Sequence, residues 1–316
     1  MPNKSIVVLA LLSVFTGNAH ARPYAFITNQ LDNSVSVIDT ERQQVVETVK
    51  VNGKPAGVAV NPQRQQIYIS TPEGGGFAVI DNGSFKVRKT VKVAGASLGI
   101  AVDKSGEQVF VADWYENTVA VFDTQNFEKT AVLSVGKSPS GMTISPDNKW
   151  LFVANRIDDS VSQIDLKKLT VRNTTKVGAH PFGITLDKDG KRLYTANVES
   201  NDVTVLDTRR LKRVATIKVG ARPYAVALAK NDSLLFVTNQ DDGTVSVIDT
   251  VSLKTLKEIQ VGDKPEGIST HPDGRFVYVA NWFDNNVSVI DADTLEVVNT
   301  IKTGEGSRAF GEFISP

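Results

Sequence analysis

Apolar and polar side chains alternate along this chain in short bursts of five to seven residues. The strings "VSVID" at 35, 245 and 287 and "VTVLD" at 203 put apolar residues at every second position, the period of a β-strand with two unlike faces. Neighbouring runs such as "FVAN" at 152 are apolar or small at both parities, which predicts strands buried on both sheet faces. A third type, such as "RVATIKVG" from 213, alternates more openly, and a fourth, such as "PFGITL" from 181, follows a Gly/Pro turn. In chain order these are strands a (PFGITL), b (LYTAN), c (DVTVLD) and d (RVATIKVG), divided by Asp/Gly, Asn/Asp and Gly/Pro turn clusters.

The four-strand unit repeats. "FITN", "YIST", "FVAD", "FVAN", "YTAN", "FVTN" and "YVAN" begin at 26, 68, 110, 152, 194, 236 and 278, every step being 42 residues. The c-strand motif and the "KPAGVAV" motif of strand a keep the same step without an insertion, which marks a strong repeat. Four strands of about six residues leave hairpin-length turns within 42, so each unit reads as one antiparallel meander. Sheets covered on both faces and repeated seven times predict an all-β fold, a single seven-bladed β-propeller of four-stranded blades. The repeats open on strand b at Tyr24 and finish on a strand a from Ser307 to Ile314, so the last strand is expected to complete the first blade and close the ring.

The residues "FVAN", "YVAN" and "FVTN", followed by "VSVID" and "VG..P.G", resemble the YVTN-type seven-bladed propeller family, including YncE-like periplasmic proteins. The resemblance covers residues 22–314 and implies the fold, export to the periplasm and strand a as the innermost strand. It carries little about activity, because propellers host unrelated functions.

The first 21 residues have Lys4, an apolar run from Ile6 to Phe15 and Ala19-His20-Ala21, the pattern of a secretory signal peptide cleaved after Ala21. The expected division is therefore residues 1–21 as signal and 22–316 as the propeller, a monomer in the periplasm with no membrane span. Lys4 is the one charged residue removed, so the balance of 35 basic and 35 acidic residues tips to one net negative charge. With no Cys and only His180 and His271 in the mature chain, no metal site and no cofactor are expected.

Residues shared by most blades serve folding. The Asn ending strand b (Asn29, Asn155, Asn197, Asn239, Asn281) and the Asp closing strand c (Asp39 through Asp291) read as turn formers. Departures from the repeat are more informative. Around the ring, the positions flanking the Pro of the d-to-a turn bring His180, Phe182, Arg222, Tyr224, Lys264, Glu266 and Arg308 into one arc, opposite small residues. The b-to-c turns add Trp114, Tyr115, Arg156, Trp282 and Phe283 on the same face. The centre of this face leans basic and its rim acidic, which suits a compact planar anion better than a polyanion. The glycines of "STPEGGG" suggest a flexible turn, and the a-to-b face shows no site.

The favoured reading is a non-enzymatic binding or scaffold protein that takes a small, planar, anionic ligand or a periplasmic protein partner. One alternative is a lactonase-like hydrolase or lyase with His180 as acid/base and Glu266 as its partner. Another is single-stranded nucleic-acid binding by stacking, which the acidic rim and net charge disfavour.

Overall fold

The computed structural model describes residues 22–93 and 95–316; residues 1–21, where the sequence predicts a signal peptide, lie outside them. The described residues form 28 strands, numbered from β1 (Tyr24–Asn29) to β28 (Phe310–Glu312), and no helix among them is long and apolar enough to cross a membrane. Seven sheets result, one per repeat, each a meander in which consecutive strands pair antiparallel. The fold is a seven-bladed β-propeller. Blade 1 contains β1 and each later blade begins with its own strand a.

One aromatic residue occupies the same place in strand b of every blade: Phe26, Tyr68, Phe110, Phe152, Tyr194, Phe236 and Tyr278, each buried. Both faces of strand b are covered because the next blade packs against it, which accounts for its apolar residues at both parities. Burying each ring contributes about 1.5–3 kcal/mol, so this circle of seven is a principal source of cohesion between blades. Strand d lies outermost and buries little; in Gln44–Lys50 (β3) only Val49 is fully covered. The c–d register shifts at Val37/Ile38, Val121/Phe122, Val205/Leu206 and their equivalents in the other blades. Such bulges increase strand twist, which a blade needs in order to rotate from the axis to the rim.

The ring closes through the last residues. Backbone bonds run from Phe26 N to Phe313 O, from Arg308 N to Thr28 O and from Ser315 N to Tyr24 O, each 2.8 Å. Where a continuous strand from Ser307 to Ile314 was expected, the regular part is only Phe310–Glu312. It pairs parallel with β4 (Gly57–Asn61) of the next blade, while Ser307 and Ile314 bridge to Asn29 and Ala25. The terminal segment is thus shared between two blades near the axis.

The repeated Gly of strand a is required by that crowding. A methyl group on Gly57 would stand 2.8 Å from the Leu98 carbonyl oxygen, and one on Gly183 would stand 2.5 Å from Ala225 Cα. Inner strands of adjacent blades meet there with no room for a side chain.

Asp39, Asp165 and Asp291 accept backbone N–H bonds from the turns that follow them, as expected. The strand-b Asn does more than shape its turn. Asn155 Nδ2 donates to Ser160 and Ser162 Oγ on strand c, and its Oδ1 accepts from Gly136 N in the linker entering the blade, at 3.0 Å. Asn281 makes the same three contacts. In blade 2 Thr71 replaces this Asn, and the Gly74 turn packs on the backbone of Gly53, with Lys92 Nζ donating to Gly74 O. The glycine turn expected to be flexible is therefore seated against its neighbour.

Candidate functional site

The b-to-c and d-to-a turns share one face, here the upper face. Strand a starts at this face, so its second residue points to the axis in every blade. Ala56, Ser140, Phe182, Tyr224 and Glu266 at that position are all buried, and Arg308 joins them from blade 1. The arc read from the sequence is real, but these residues fill the axis and do not wall an open pocket. The Phe182 and Tyr224 rings lie 4.1 Å apart at 32°, with the Phe310 ring 5.3 Å from Phe182. Phe310 is missed in the sequence, although it stands where the other strand-a registers carry Ile, Val or Met.

Beside the rings lies a buried polar group. Arg308 Nη2 donates to Tyr224 Oη at 2.6 Å, Arg308 Nε lies 2.6 Å from Glu266 Oε2, and Gln240 Nε2 donates to Glu266 Oε1 at 2.8 Å. Burial pushes the Glu266 carboxyl above its usual range, with Arg308 and Gln240 opposing. Burial also raises the Tyr224 hydroxyl. It works against the Arg308 charge too, but the nearby carboxylate and phenol outweigh it and hold the guanidinium protonated.

The outer part of the arc is an ion-pair chain. His180 Nδ1 is 3.8 Å from Glu199 Oε1, which Arg222 Nη1 approaches at 2.7 Å; Arg222 Nε and Lys264 Nζ then share Asp241, at 3.8 and 2.7 Å. The expected basic centre is therefore largely neutralised by the rim. Other rim acids are also engaged: Asp32, Asp158, Asp242 and Asp284 accept backbone N–H bonds from Glu305, Lys137, Ala221 and Asp263. Asn33, Asn117, Asp159, Asn201 and Asn285 brace the residues 21 positions on in the same way. His180 and Arg222 are held in this way with positive φ of 55° and 53°, and Lys264 adopts φ 53° without such a brace. The acid/base pairing expected of His180 and Glu266 is not formed, because His180 faces Glu199 and Glu266 faces Arg308.

The b-to-c turn aromatics divide into two groups. Arg156 lies over the Trp114 ring at 5.4 Å, and Trp114 reaches Phe182 at 6.4 Å, so this group touches the hub. Trp282 stacks on Phe283 at 4.6 Å on the far side. Tyr115 and Phe283 themselves are 74% and 53% exposed.

Besides the strand-b Asn29, Asn197 and Asn239 and the strand-end Thr71 and Ser97, three side chains of this face carry a buried polar atom with no hydrogen-bond partner among the described residues: Arg156 Nε, His180 Nδ1 and Trp282 Nε1. Arg308 Nε and Glu266 Oε2, 2.6 Å apart, answer each other as a buried charge-assisted pair. An unsatisfied buried group costs about 1–3 kcal/mol, and water or a bound species can complete its bonding.

Fold and face together define a seven-bladed propeller with a sealed aromatic hub and under-bonded polar groups around it. The chain belongs to the Cytochrome D1 heme domain family, whose sequence model matches residues 19–145 and 223–309. A second family, the 7-bladed β-propeller lactonases, matches residues 127–210. No curated protein matches the chain. Among solved structures it is similar to Kuenenia stuttgartiensis hydrazine synthase, at 24% identity and TM-score 0.78 over 84% of this chain and 92% of that one. It is similar also to the dihydro-heme d1 dehydrogenase NirN in complex with DHE, at 18% identity and TM-score 0.70 over 92% and 66%. A functionally unknown protein from Desulfotomaculum acetoxidans shares 12% identity at TM-score 0.77 over 91% and 99%.

The family description raises the question of a haem. Among the described residues no three His, Cys, Asp or Glu side chains converge as a metal site, and His180 is the one imidazole on the upper face. Phe182, Tyr224 and Phe310 occupy the axis, so the residues present do not fit a macrocycle seated in the hub.

Proposed function

We propose that this chain is an exported propeller that binds a small planar anion on the upper face, over the sealed hub, without reacting with it. The observation that carries this reading is the set of unpartnered polar atoms around the hub. Arg156 Nε and Trp282 Nε1 are both donors, and a carboxylate-bearing ligand supplies the acceptors they lack. Trp114 and Trp282 offer flat surfaces for its ring. Binding is favoured over catalysis because the carboxylate that an acid/base pair needs is held by Arg308. The signal-like segment and the YVTN-type repeats support a periplasmic location.

The test is titration with pyromellitate, a planar aromatic tetracarboxylate, against the non-planar polycarboxylate citrate. Pyromellitate should quench tryptophan fluorescence and raise the melting temperature more than citrate, and the double variant Trp114→Leu, Arg156→Ala should lose both effects. Equal responses in that variant and the parent would refute the site.

A docked protein loop is the second reading, favoured by the exposure of Tyr115 and Phe283. It requires that pyromellitate binding survive Tyr115→Ala with Phe283→Ala.

A further inference from the structure

A cavity near the axis belongs to the opposite face, where the sequence showed no site. It has a volume of about 350 Å³, begins beneath the hub at Phe310 and opens between Lys104, Lys188, Asp232 and Glu312. An apolar cavity of about 150 Å³ already suffices for benzene, so this one has room for a ten-carbon chain or a two-ring body.

Its wall is unevenly apolar. In β4 every residue is buried, whereas four consecutive residues of β16 (Pro181–Leu186), from Gly183 to Leu186, remain partly exposed. Ile184, Leu186, Met142 and Leu228 each pack on one side against a buried core and present the rest of their aliphatic surface to the cavity. Apolar surface left in this way gains about 25 cal/mol per Å² when an apolar ligand covers it. Towards the mouth the wall becomes hydroxylic, and Thr270 Oγ1 is buried with no partner among the described residues.

The mouth selects a charge. Two lysines and two carboxylates line it: one oxygen of Asp232 accepts the Lys188 backbone N–H at 2.7 Å, while no carboxylate lies within ion-pair distance of the Lys188 ammonium among the described residues. Lys104 Nζ reaches Glu312 Oε1 only at 3.7 Å, across a pair exposed on both sides, and such a contact contributes little and exchanges readily. Two ammonium groups are therefore available above an aliphatic shaft with an unanswered hydroxyl.

We infer that this cavity is a second binding site, specific for a small amphiphilic carboxylate whose apolar body enters the axis and whose carboxylate is held by Lys188 and Lys104. The hub separates it from the upper face, so the two sites stand or fall independently.

Calorimetric titration of the protein with decanoate, decan-1-ol and decyltrimethylammonium tests the assignment. Decanoate should bind saturably at one site per chain, and the alcohol and the cation at least tenfold more weakly. The exposed charge reversal Lys104→Glu with Lys188→Glu should weaken decanoate at least tenfold, Ile184→Trp should abolish its binding by filling the shaft, and Arg156→Ala should leave it unchanged. The inference is overturned if decanoate gives no saturable heat, if the cation binds as tightly, or if the charge reversal leaves affinity intact. Should Ile184→Trp fail to fold, the surface charge reversal still decides.

Discussion

Arg308 donates from Nη2 to Tyr224 Oη at 2.6 Å across 84 residues of chain, joining the inner strand of blade 1 to that of blade 6 past the intervening blade 7. Two blades that are not neighbours can touch only where all seven converge. Glu266 of blade 7 sits between them and completes the buried group.

That group makes the hub sensitive to a single charge change. Glu266→Gln leaves the Arg308 guanidinium buried without a counter-charge, and the expected cost is about 3–5 kcal/mol in a denaturant melt. The double variant Glu266→Leu with Arg308→Met removes both charges and should recover most of that loss. A double variant as unstable as the single one would show that the pair itself stabilises the hub.

Ring closure should dominate global stability. Removing residues 307–316 deletes the bonds to Phe26, Thr28 and Tyr24 and takes away the buried rings of Phe310 and Phe313. A fall in melting temperature on the order of 10 °C is expected from the lost burial. An unchanged midpoint by calorimetry would mean that the ring does not need its last strand.

The strand-b Asn ties strand c to the incoming linker, so Asn155→Ala should cost about 1–3 kcal/mol by leaving Gly136 N and two hydroxyls without their partner. Asn155→Thr, which copies blade 2, should cost less. Urea unfolding of both variants separates the two values.

Acid stability should depend on Asp291. Arg275 donates to this carboxylate from Nε and Nη2, and those bonds hold it below the usual carboxylate range. A depressed folded value stabilises the native state above the unfolded value of about 4 and ceases to do so as pH falls through the folded one. Arg275→Gln should therefore lower stability at pH 7 slightly, with the gap to the parent closing as pH falls below the unfolded value of about 4 and through the depressed folded one. A gap that persists in acid would assign the effect to packing of the arginine stem.

Much of the architecture was legible in the sequence because local rules act identically seven times. The 42-residue step, the apolar parity of strands b and c and the turn-forming Asp and Asn each depend on neighbours in the chain, and repetition removed the ambiguity of any one copy. The same register named Phe182, Tyr224, Glu266 and Arg308 as convergent, since equivalent positions in a closed ring must point to one axis.

Whether those residues line a hollow or fill it was decided only by the tertiary structure. The radius of the ring and the volumes of Phe182, Tyr224 and Phe310 set that outcome, and no local pattern encodes a radius. Charge pairing was equally hidden: Glu199 and Asp241 look like ordinary turn acids until the ring carries Arg222 and Lys264 to them. The sequence by itself fixed what each blade is; packing seven blades around one axis determined which face is sealed and which is open.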